Sequence, residues 1–374
     1  MKSKYCSGFL LSIFLATQFA RSLQAYGPIG HEIVGAIADE RLANTDTVRK
    51  VDALLGTMTL EKASVIADLI KSWDKNGPDD PKSFHYSAWP KIDIQLRDFW
   101  KANQPTHDEN SLMPSHHWFH YTDVPVLPPQ KYSDAKAGRS QWDVVHMIPF
   151  CVDVLRGRIP EANGRKITKP IAIILLTHYV GDIHQPLHVG ALYFDAQGKI
   201  VDPNKEKSAL QDEGGNTFTL EFTDEPPRTR GQHKKKFHSF WDSDAVNALF
   251  PEIPDNLPKD ERQIQIEPAK KKIAHEMASR EPKNWRLPDK IDIASYAEAW
   301  TNEILPIARE AHERLDFRKV TSLQEEERVV AQGEAVEKPA RDQISYRVWS
   351  TNVVRDELHK AGWRLADLLE KALK

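Results

Sequence analysis

The stretch at residues 171–190 constrains the fold most, and it reads IAIILLTHYVGDIHQPLHVG. Its apolar first half predicts a buried helix, because the stretch is too polar after Leu176 to cross a membrane. His178 and Asp182 are four residues apart, so a helix places both side chains on one face, where they could bind one cation. Pro186 ends the helix, and His188 can point back into the same pocket from a non-helical segment. The stretch predicts a metal site, and the alternative is a set of hydrogen-bonded polar residues in a helical core.

Composition and the N-terminus limit the class of protein. The chain has 374 residues, no internal repeat and no clear linker, which favours one large domain. Its net charge of −3 argues against a basic protein that coats nucleic acid. Residues 1–25 resemble a signal peptide, because Lys2 and Lys4 precede a short apolar segment and Ala25 offers a small residue for cleavage. We therefore expect a domain over residues 26–374 that is secreted or periplasmic and has no membrane anchor.

Two candidate ligands lie near the start of that domain. Signal cleavage would make Tyr26 a free amino terminus, whose amino nitrogen and carbonyl oxygen can chelate a metal, and His31 follows in the first turn of a predicted helix. Apolar residues nearly surround Asp68 in the helix predicted at 63–73, and a buried carboxylate needs a partner or a metal. The alternatives are an incidental histidine on a surface helix and a surface pair between Asp68 and Lys71.

A histidine-rich segment at residues 115–125 reads SHHWFHYTDVP. Alternation predicts that His116 and His120 share one side if the segment is extended, with Asp123 at the turn before a proline. Periodicity alone does not decide which histidine faces inward.

Two more motifs and one histidine complete the set of candidates. His238 and Asp242 in HSFWD repeat the spacing of a histidine and an aspartate four residues apart on a predicted helix. The DEGGN sequence at 212–216 predicts a tight turn, in which paired glycines allow close approach of a ligand and Asn216 offers an amide. His184 is a further possible ligand or hydrogen-bond donor to one.

Helical periodicity dominates the remaining chain and predicts an all-α fold. Amphipathic helices are predicted at 141–156, 291–315 and 355–373. The segment at 76–104 is rich in Pro, Asp and Lys and is interpreted as an irregular insertion. The segment at 319–343 is highly charged with little periodicity and is interpreted as a mobile insertion.

These motifs, in this order, resemble the zinc-dependent single-strand nuclease and 3′-nucleotidase family of fungi, plants and bacteria. The resemblance rests on YGPIGH, ADLIK, HYTD, THYVGDIHQPLH, DEGGN and HSFWD, and it extends to the terminal AGWRLADLL. It implies a single, mainly helical domain of the zinc phospholipase C and nuclease type, with a cleft for three zinc ions. The first ion would be held by Asp68, His120, His178 and Asp182, the second by Tyr26, His31 and Asp182, and the third by His188, His238 and Asp242.

The resemblance also implies a reaction. A zinc-bridging hydroxide, directed by Asp68, would attack the phosphorus of single-stranded RNA or DNA and leave 5′-phosphate products, with 3′-nucleotides as further substrates. Lys71 and Asn216 would hold phosphate oxygens, and Asp123 would bind the base. The protein would act as a monomer.

Three points stay open in the sequence. His85, in SFHYSAW, competes with His120 for one ligand position, and we prefer His120 because HYTDVP keeps the Asp and Pro that follow it in the family. A zinc phospholipase C is an alternative function, since it shares the fold and the three-metal site. A non-catalytic zinc-binding protein of the same fold is another.

Overall fold

The computed structural model describes residues 26–81, 83–105, 115–223, 235–251, 257–325 and 328–374. The residues interpreted as a signal peptide lie outside these ranges. Within them, the α-helices are α1 Pro28–Leu42, α2 Asp46–Leu55, α3 Leu60–Ala63, α4 Ile66–Leu69, α5 Trp73–Asn76, α6 Pro90–Ala102, α7 Val144–Leu155, α8 Lys169–Asp182, α9 Phe237–Ser239, α10 Ala245–Asn247, α11 Lys259–Ser279, α12 Tyr296–Glu313 and α13 Tyr346–Ala372. The strands are β1 Val124–Pro125, β2 Gly190–Ala191, β3 Tyr193–Phe194, β4 Leu210–Gln211, β5 Phe218–Glu221, β6 Leu315–Glu325 and β7 Arg328–Glu337.

Helix α8 occupies the centre of the molecule. Thr168 precedes it as a cap, and Pro170 lies in its first turn, where a missing N–H costs nothing. Every residue from Pro170 to Asp182 is buried, because α7, α13 and α1 pack around the helix. The prediction of a buried helix in the stretch at 171–190 is confirmed. A helix that is apolar on all sides has to be central, since no face can be left to water.

Helix α1 packs against α13, α11, α3 and α8, and so connects the two ends of the described chain. Gly362 of α13 lies directly on Ile37 of α1, where an added Cβ would come within 2.5 Å of the Ile37 side chain. This close approach packs the middle of α1 against α13. In the part of the chain that the structure describes, no helix is both long enough and apolar enough to span a bilayer.

The fold is mainly helical, as predicted, and the sheets are small. Strand β7 lies between β5, to which it is parallel, and β6, to which it is antiparallel. Strand β1 pairs in parallel with β2, and β3 pairs with β4 in the antiparallel sense.

The interpretation of residues 319–343 as a mobile insertion is wrong. Most of this segment belongs to the hairpin of β6 and β7, whose nine paired positions begin at Leu315 opposite Glu337. Few side chains of β6 are buried, so its sequence shows no apolar alternation. Its order comes from backbone pairing with β7, which itself pairs with the distant β5.

The interpretation of residues 76–104 as irregular is wrong for its second half. Helix α6 begins at Pro90, and it buries Ile92, Leu96 and Phe99 along one side. These residues have helical spacing, which the many charged residues between them obscure. The helix predicted at 63–73 is also shorter than expected, because the chain there forms α3, α4 and a turn of 3-10 helix at Ile70–Ser72.

The segment at 115–125 is not extended up to His120. Residues His116–His120 form a 3-10 helix, and the side chain of Ser115 accepts a hydrogen bond from the backbone N–H of His117. This local bond favours a helical turn over a strand. Only Val124–Pro125 of this segment forms a short strand.

Candidate metal centre

The last turn of α8 carries His178 and Asp182 on one face, as their spacing predicts. His178 donates from Nδ1 to the carbonyl oxygen of Ser64 at 2.6 Å, which leaves the Nε2 lone pair free of a proton. That Nε2 lies 3.3 Å from Oδ2 of Asp182, and both side chains are fully buried. The ring is therefore oriented as a ligand, with its lone pair toward the carboxylate.

His120 and Asp68 complete a cluster around His178. Nδ1 of His120 lies 3.0 Å from Nε2 of His178 and 3.0 Å from Oδ2 of Asp182. Oδ1 of Asp68 lies 3.8 Å from His120 and 3.7 Å from His178. Ligand atoms of a tetrahedral zinc site lie roughly 3.3 Å apart, so these separations suit one shared ion.

His31 joins the same cluster from the first turns of α1. Its ring stacks on that of His178 with centroids 3.8 Å apart, and its Nε2 lies 3.4 Å from Oδ1 of Asp182. Both ring nitrogens of His31 and Oδ1 of Asp182 are buried without a hydrogen-bond partner. Tyr26 is completely buried nearby, and the N–H of Gly27 donates to the carbonyl oxygen of Asp242 at 2.7 Å.

A second cluster contains His188, His238 and Asp242. His188 donates from Nδ1 to the carbonyl oxygen of His120 at 2.9 Å, and His238 donates from Nδ1 to that of Gly214 at 2.8 Å. The two Nε2 atoms face each other at 3.1 Å, and Oδ2 of Asp242 lies 3.4 Å from that of His238. Two imidazole lone pairs repel at this distance unless a proton or a cation lies between them.

Burial sets the charge states in both clusters. It lowers the pKa of His31 to about 4, although Asp68 acts in the opposite direction. It also lowers the pKa of His188 well below the usual value, and the neighbouring His238 lowers it further. Burial raises the pKa of Asp182 to about 8, and His178 only partly offsets this. His31 and His188 are therefore neutral at pH 7, and Asp182 lacks the positive charge that a buried anion needs.

The residues fit a divalent cation of the zinc type. Neutral imidazole nitrogens and carboxylate oxygens are the donors that zinc prefers, and unpartnered buried atoms point toward shared positions. The ligand atoms that could hold an ion form three fully buried groups in the described chain: His31 with His178 and Asp182; Asp68 with His120 and His178; and His188 with His238 and Asp242.

Asp68 and Lys71 do form a pair, but a buried one. Nζ of Lys71 lies 2.7 Å from Oδ1 of Asp68, and the Lys71 side chain is only 2% exposed. Burial raises the pKa of Asp68, but the charges of Lys71 and His178 lower it more, and it falls to about 2. The alternative of a surface pair is therefore wrong, and a permanent carboxylate lies beside the first cluster.

The structure places His120, and not His85, in the cluster. His85 is exposed, in the loop before α6, whereas His120 is completely buried. His184 also lies outside the cluster, because Nδ1 donates to the carbonyl oxygen of Val180 and Nε2 accepts from Arg364 at 2.9 Å.

His116 and His117 point away from the cluster, toward Asp74. The carboxylate of Asp74 accepts hydrogen bonds from Trp100 at 2.7 Å and from His117 at 2.6 Å, with His116 at 3.3 Å. The distance of 2.6 Å is that of a hydrogen bond and is short for two ligands of one ion. This arrangement is a hydrogen-bonded carboxylate that holds the 3-10 helix in place.

A pocket opens beside the second cluster and contains Asp123 and Asn216. Its lining is formed by Tyr121, Asp123, Leu187, His188, Glu213, Asn216, His238 and Arg328. Burial, followed by the charge of Glu213, raises the pKa of Asp123 to about 8. The sequence pattern did not single out Glu213 within DEGGN or Arg328, which comes near the pocket through the pairing of β7 with β6 and β5.

The DEGGN turn brings this pocket to the metal centre. Glu213, Gly214 and Gly215 all have positive φ, at 50°, 57° and 83°. A Cβ on Gly214 would lie 2.3 Å from the carbonyl oxygen of Leu187, so only glycine allows the turn to approach the segment before His188. The prediction of a tight turn is confirmed.

Comparison with known proteins now assigns the family. A model of the S1/P1 nuclease family matches residues 26–374 of the chain. The chain belongs to the S1/P1 nuclease family. It is similar to Endonuclease 1 of Arabidopsis thaliana, with 26% identity over 176 residues, which are 45% of this chain and 43% of that protein. It is also similar to Endonuclease 4 of the same plant, with 35% identity over 79 residues, which are 21% of this chain and 18% of the relative.

These matches confirm the family resemblance inferred from the motifs. S1/P1 nucleases are zinc-dependent hydrolases that act on phosphodiester bonds, and the buried His and Asp groups of this member suit that cofactor. The chain spans less than half the length of the curated relatives it matches.

Proposed function

We propose that this chain is a zinc-dependent nuclease that hydrolyses single-stranded RNA or DNA to 5′-phosphate products and also acts on 3′-nucleotides. One observation carries the proposal. Nε2 of His188 and Nε2 of His238 face each other at 3.1 Å while both Nδ1 atoms donate to carbonyl oxygens. This arrangement prepares lone pairs for a cation, next to a pocket that is lined by Tyr121, Asp123 and Asn216.

Three zinc ions would be bound by nine residues of the two clusters and the amino terminus. Bound zinc would supply Lewis acidity, which lowers the pKa of a coordinated water and polarises a phosphate. The proposed ligands are Asp68, His120, His178 and Asp182; Tyr26, His31 and Asp182; and His188, His238 and Asp242.

The protein side chains then orient the reactants. Asp68 stays ionised because of its low pKa, so it can accept a hydrogen bond from the attacking water and hold it in line with the phosphorus. Lys71 brings positive charge to the phosphate oxygens, and the amide of Asn216 donates to another oxygen as negative charge develops. A partly buried Tyr121 in the pocket offers a ring for stacking, and Asp123 a hydrogen bond to the base. Stacking requires an unpaired base, which favours single strands over duplex.

We also propose that the chain is exported and that residues 26–374 form one domain that acts as a monomer. One continuous hydrophobic core extends from α1 to α13 and supports the single domain. The basic and apolar residues before position 26 support export. Size-exclusion chromatography with light scattering tests the monomer, and N-terminal sequencing of the exported protein tests cleavage after Ala25.

The decisive experiment compares substrates. Protein that begins at Tyr26 is loaded with zinc and given a single-stranded oligonucleotide, the matched duplex, a 3′-nucleotide and phosphatidylcholine. We expect chelator-sensitive cleavage of the single strand into 5′-phosphate products, release of phosphate from the 3′-nucleotide, and much slower cleavage of the duplex.

Each other outcome points to a different function. Cleavage of the lipid alone would make the protein a phospholipase C. Full zinc content with no turnover of any substrate would make it a non-catalytic zinc-binding protein. Equal rates on duplex and single strand would refute the proposed single-strand specificity but would still support a nuclease activity.

A further inference from the structure

The hairpin of β6 and β7 brings an ion pair into the pocket beside the metal centre. Arg328, the first residue of β7, lies with a guanidinium nitrogen 3.0 Å from Oε1 of Glu213 in the DEGGN turn. Both residues line the pocket together with Tyr121, Asp123 and Asn216. The Glu213 side chain is only 9% exposed, whereas that of Arg328 is 35% exposed, so the glutamate is the buried partner and the arginine the more accessible one.

Both partners are held in place by the fold. The backbone of Glu213 is fixed because its carbonyl oxygen accepts a hydrogen bond from the side chain of Asn216 at 2.8 Å. The preceding Asp212 anchors the turn, since Oδ1 accepts from the N–H of Leu192 and Oδ2 lies 3.1 Å from His312. The backbone of Arg328 is held by the pairing of β7 with β6. Side chains that extend from a fixed backbone can form hydrogen bonds to the edge of a ligand with geometric selectivity.

The charges around the pair favour a base over a phosphate. Asp123 and Glu213 both lie in the pocket, and Glu325 at the end of β6 acts electrostatically on Glu213. Two acidic side chains, Asp123 and Glu213, line the pocket with one basic side chain, Arg328, and Glu325 interacts with Glu213 by charge and by a side-chain hydrogen bond. Above the pKa of about 8 of Asp123 and of about 7 of Glu213, the ionised carboxylates repel a phosphate group and accept hydrogen bonds from amino and imino groups of a base.

We propose that Arg328 and Glu213 select guanine as the base bound next to the scissile phosphate. This inference rests on the proposed nuclease function. An arginine N–H beside a glutamate carboxylate presents one donor followed by two acceptors. The Watson–Crick edge of guanine presents the complement, an O6 acceptor followed by the N1–H and N2–H₂ donors.

The other bases do not match this order of groups. Uracil and thymine present an acceptor, a donor and an acceptor, so the second carboxylate oxygen would face a carbonyl oxygen. Cytosine presents two acceptors before its amino group, and adenine presents its amino group next to an acceptor nitrogen. In each case at least one lone pair faces another, or one charged group of the protein loses its partner.

The test uses thymidine oligonucleotides that each contain one internal guanine, adenine or cytosine. Zinc-loaded protein that begins at Tyr26 is assayed at pH 8, above the pKa of about 7 to which burial and nearby acids raise Glu213. We expect kcat/KM for cleavage at guanine to exceed that at the other bases by about tenfold or more. In Arg328→Ala and in Glu213→Gln the ratio of kcat/KM at guanine to kcat/KM at the other bases should fall to about twofold or less.

Arg318→Ala is the matched control. Arg318 lies on the other strand of the same hairpin, is 57% exposed and pairs with Asp316. It should keep the guanine advantage and the melting temperature of the native protein.

The outcomes separate the two proposals. Native protein that cuts at all bases equally overturns the guanine inference and leaves the nuclease intact. Equal loss at every base in Arg328→Ala, with an unchanged melting temperature, would also overturn it and place Arg328 on the nucleic acid backbone. Absence of cutting by native protein that carries its zinc would refute the proposed function, and the inference with it.

Discussion

At the scale of single residues, the proposed role of His120 as a metal ligand can be tested directly, because the sequence offers His85 as an alternative ligand. Nδ1 of His120 lies 3.0 Å from both Nε2 of His178 and Oδ2 of Asp182, so His120→Ala removes a donor from the centre of the first cluster. We expect the variant to lose about one zinc ion per chain and at least about 100-fold in kcat/KM on a single-stranded oligonucleotide. Metal analysis by mass spectrometry after dialysis, together with the kinetic assay, measures both effects.

His85→Ala is the control, because His85 is exposed in the loop before α6. It should keep the native zinc content and activity. Loss of zinc in His85→Ala together with full zinc content in His120→Ala would assign the ligand position to His85.

Local spacing predicted the residue pairs well. His178 with Asp182, and His238 with Asp242, meet because side chains four residues apart lie on one face of an α-helix, and the π-helical turn at Phe240–Asp244 keeps the second pair within 3.4 Å. Spacing could not identify which histidine of HHWFH faces inward, since that depends on the Ser115 cap and on Asp74, which holds His116 and His117. The role of Arg328 could not be predicted from the sequence for a similar reason, because its contact with Glu213 joins residues that are far apart in the chain.

At the scale of elements, α8 closely approaches α1 at Gly181. A Cβ at this position would lie 2.7 Å from Nδ1 of His31. Gly181→Ala would raise helix propensity by about 1 kcal/mol, but the clash with a closely packed ring costs about 1–3 kcal/mol and displaces His31. We expect a lower melting temperature and a lower zinc content than in the native protein, measured by calorimetry and metal analysis.

Gly157→Ala provides the comparison. Gly157 has a positive φ of 71°, but no atom lies within 4 Å of the position of an added Cβ. Its backbone strain should cost about 1 kcal/mol of stability without any change in zinc content. Native zinc content and an unchanged or raised melting temperature in Gly181→Ala would contradict the packing argument.

Periodicity predicted the central and terminal helices but not the hairpin. Helix α8 is apolar throughout and α13 buries a regular stripe, so both patterns are visible in a short window. Strands β6 and β7 show little apolar alternation, and their partner β5 lies about 100 residues earlier in the chain, at Phe218–Glu221. Helix α6 was missed because charged residues outnumber its three buried apolar residues.

At the scale of the whole molecule, the start of the mature chain is part of the proposed centre. Tyr26 is completely buried, and the next residue, Gly27, bonds to the backbone of Asp242. A variant with Met-Gly-Ser before Tyr26 lacks a free amine at that position, so we expect it to lose about one zinc ion per chain and most of its activity. The same three residues added after Lys374, which is exposed, should change neither quantity. Full zinc content in the N-terminally extended protein would exclude the amine as a ligand.

Cys151 reports on global unfolding. It lies fully buried in α7, burial raises the pKa of its thiol, and Cys6 precedes the proposed mature start. We expect mature native protein to be unreactive toward Ellman's reagent and to release one equivalent of thionitrobenzoate in guanidinium chloride. Rapid reaction of the native protein would contradict the packing of α7 against α8.

The hydrogen bond from His188 to the carbonyl oxygen of His120 joins the two clusters through one peptide group. Ordering His120 around a metal ion therefore orders the ring of His188, and the reverse also holds, because linkage between two sites is reciprocal. The entropy of fixing this peptide is lost only once, at the first binding event. Zinc uptake by metal-free protein should accordingly follow a sigmoidal curve with a Hill coefficient above one. Partly loaded molecules should then be rare. A shortage of zinc would lower the number of active enzyme molecules and leave the rate of each active molecule unchanged.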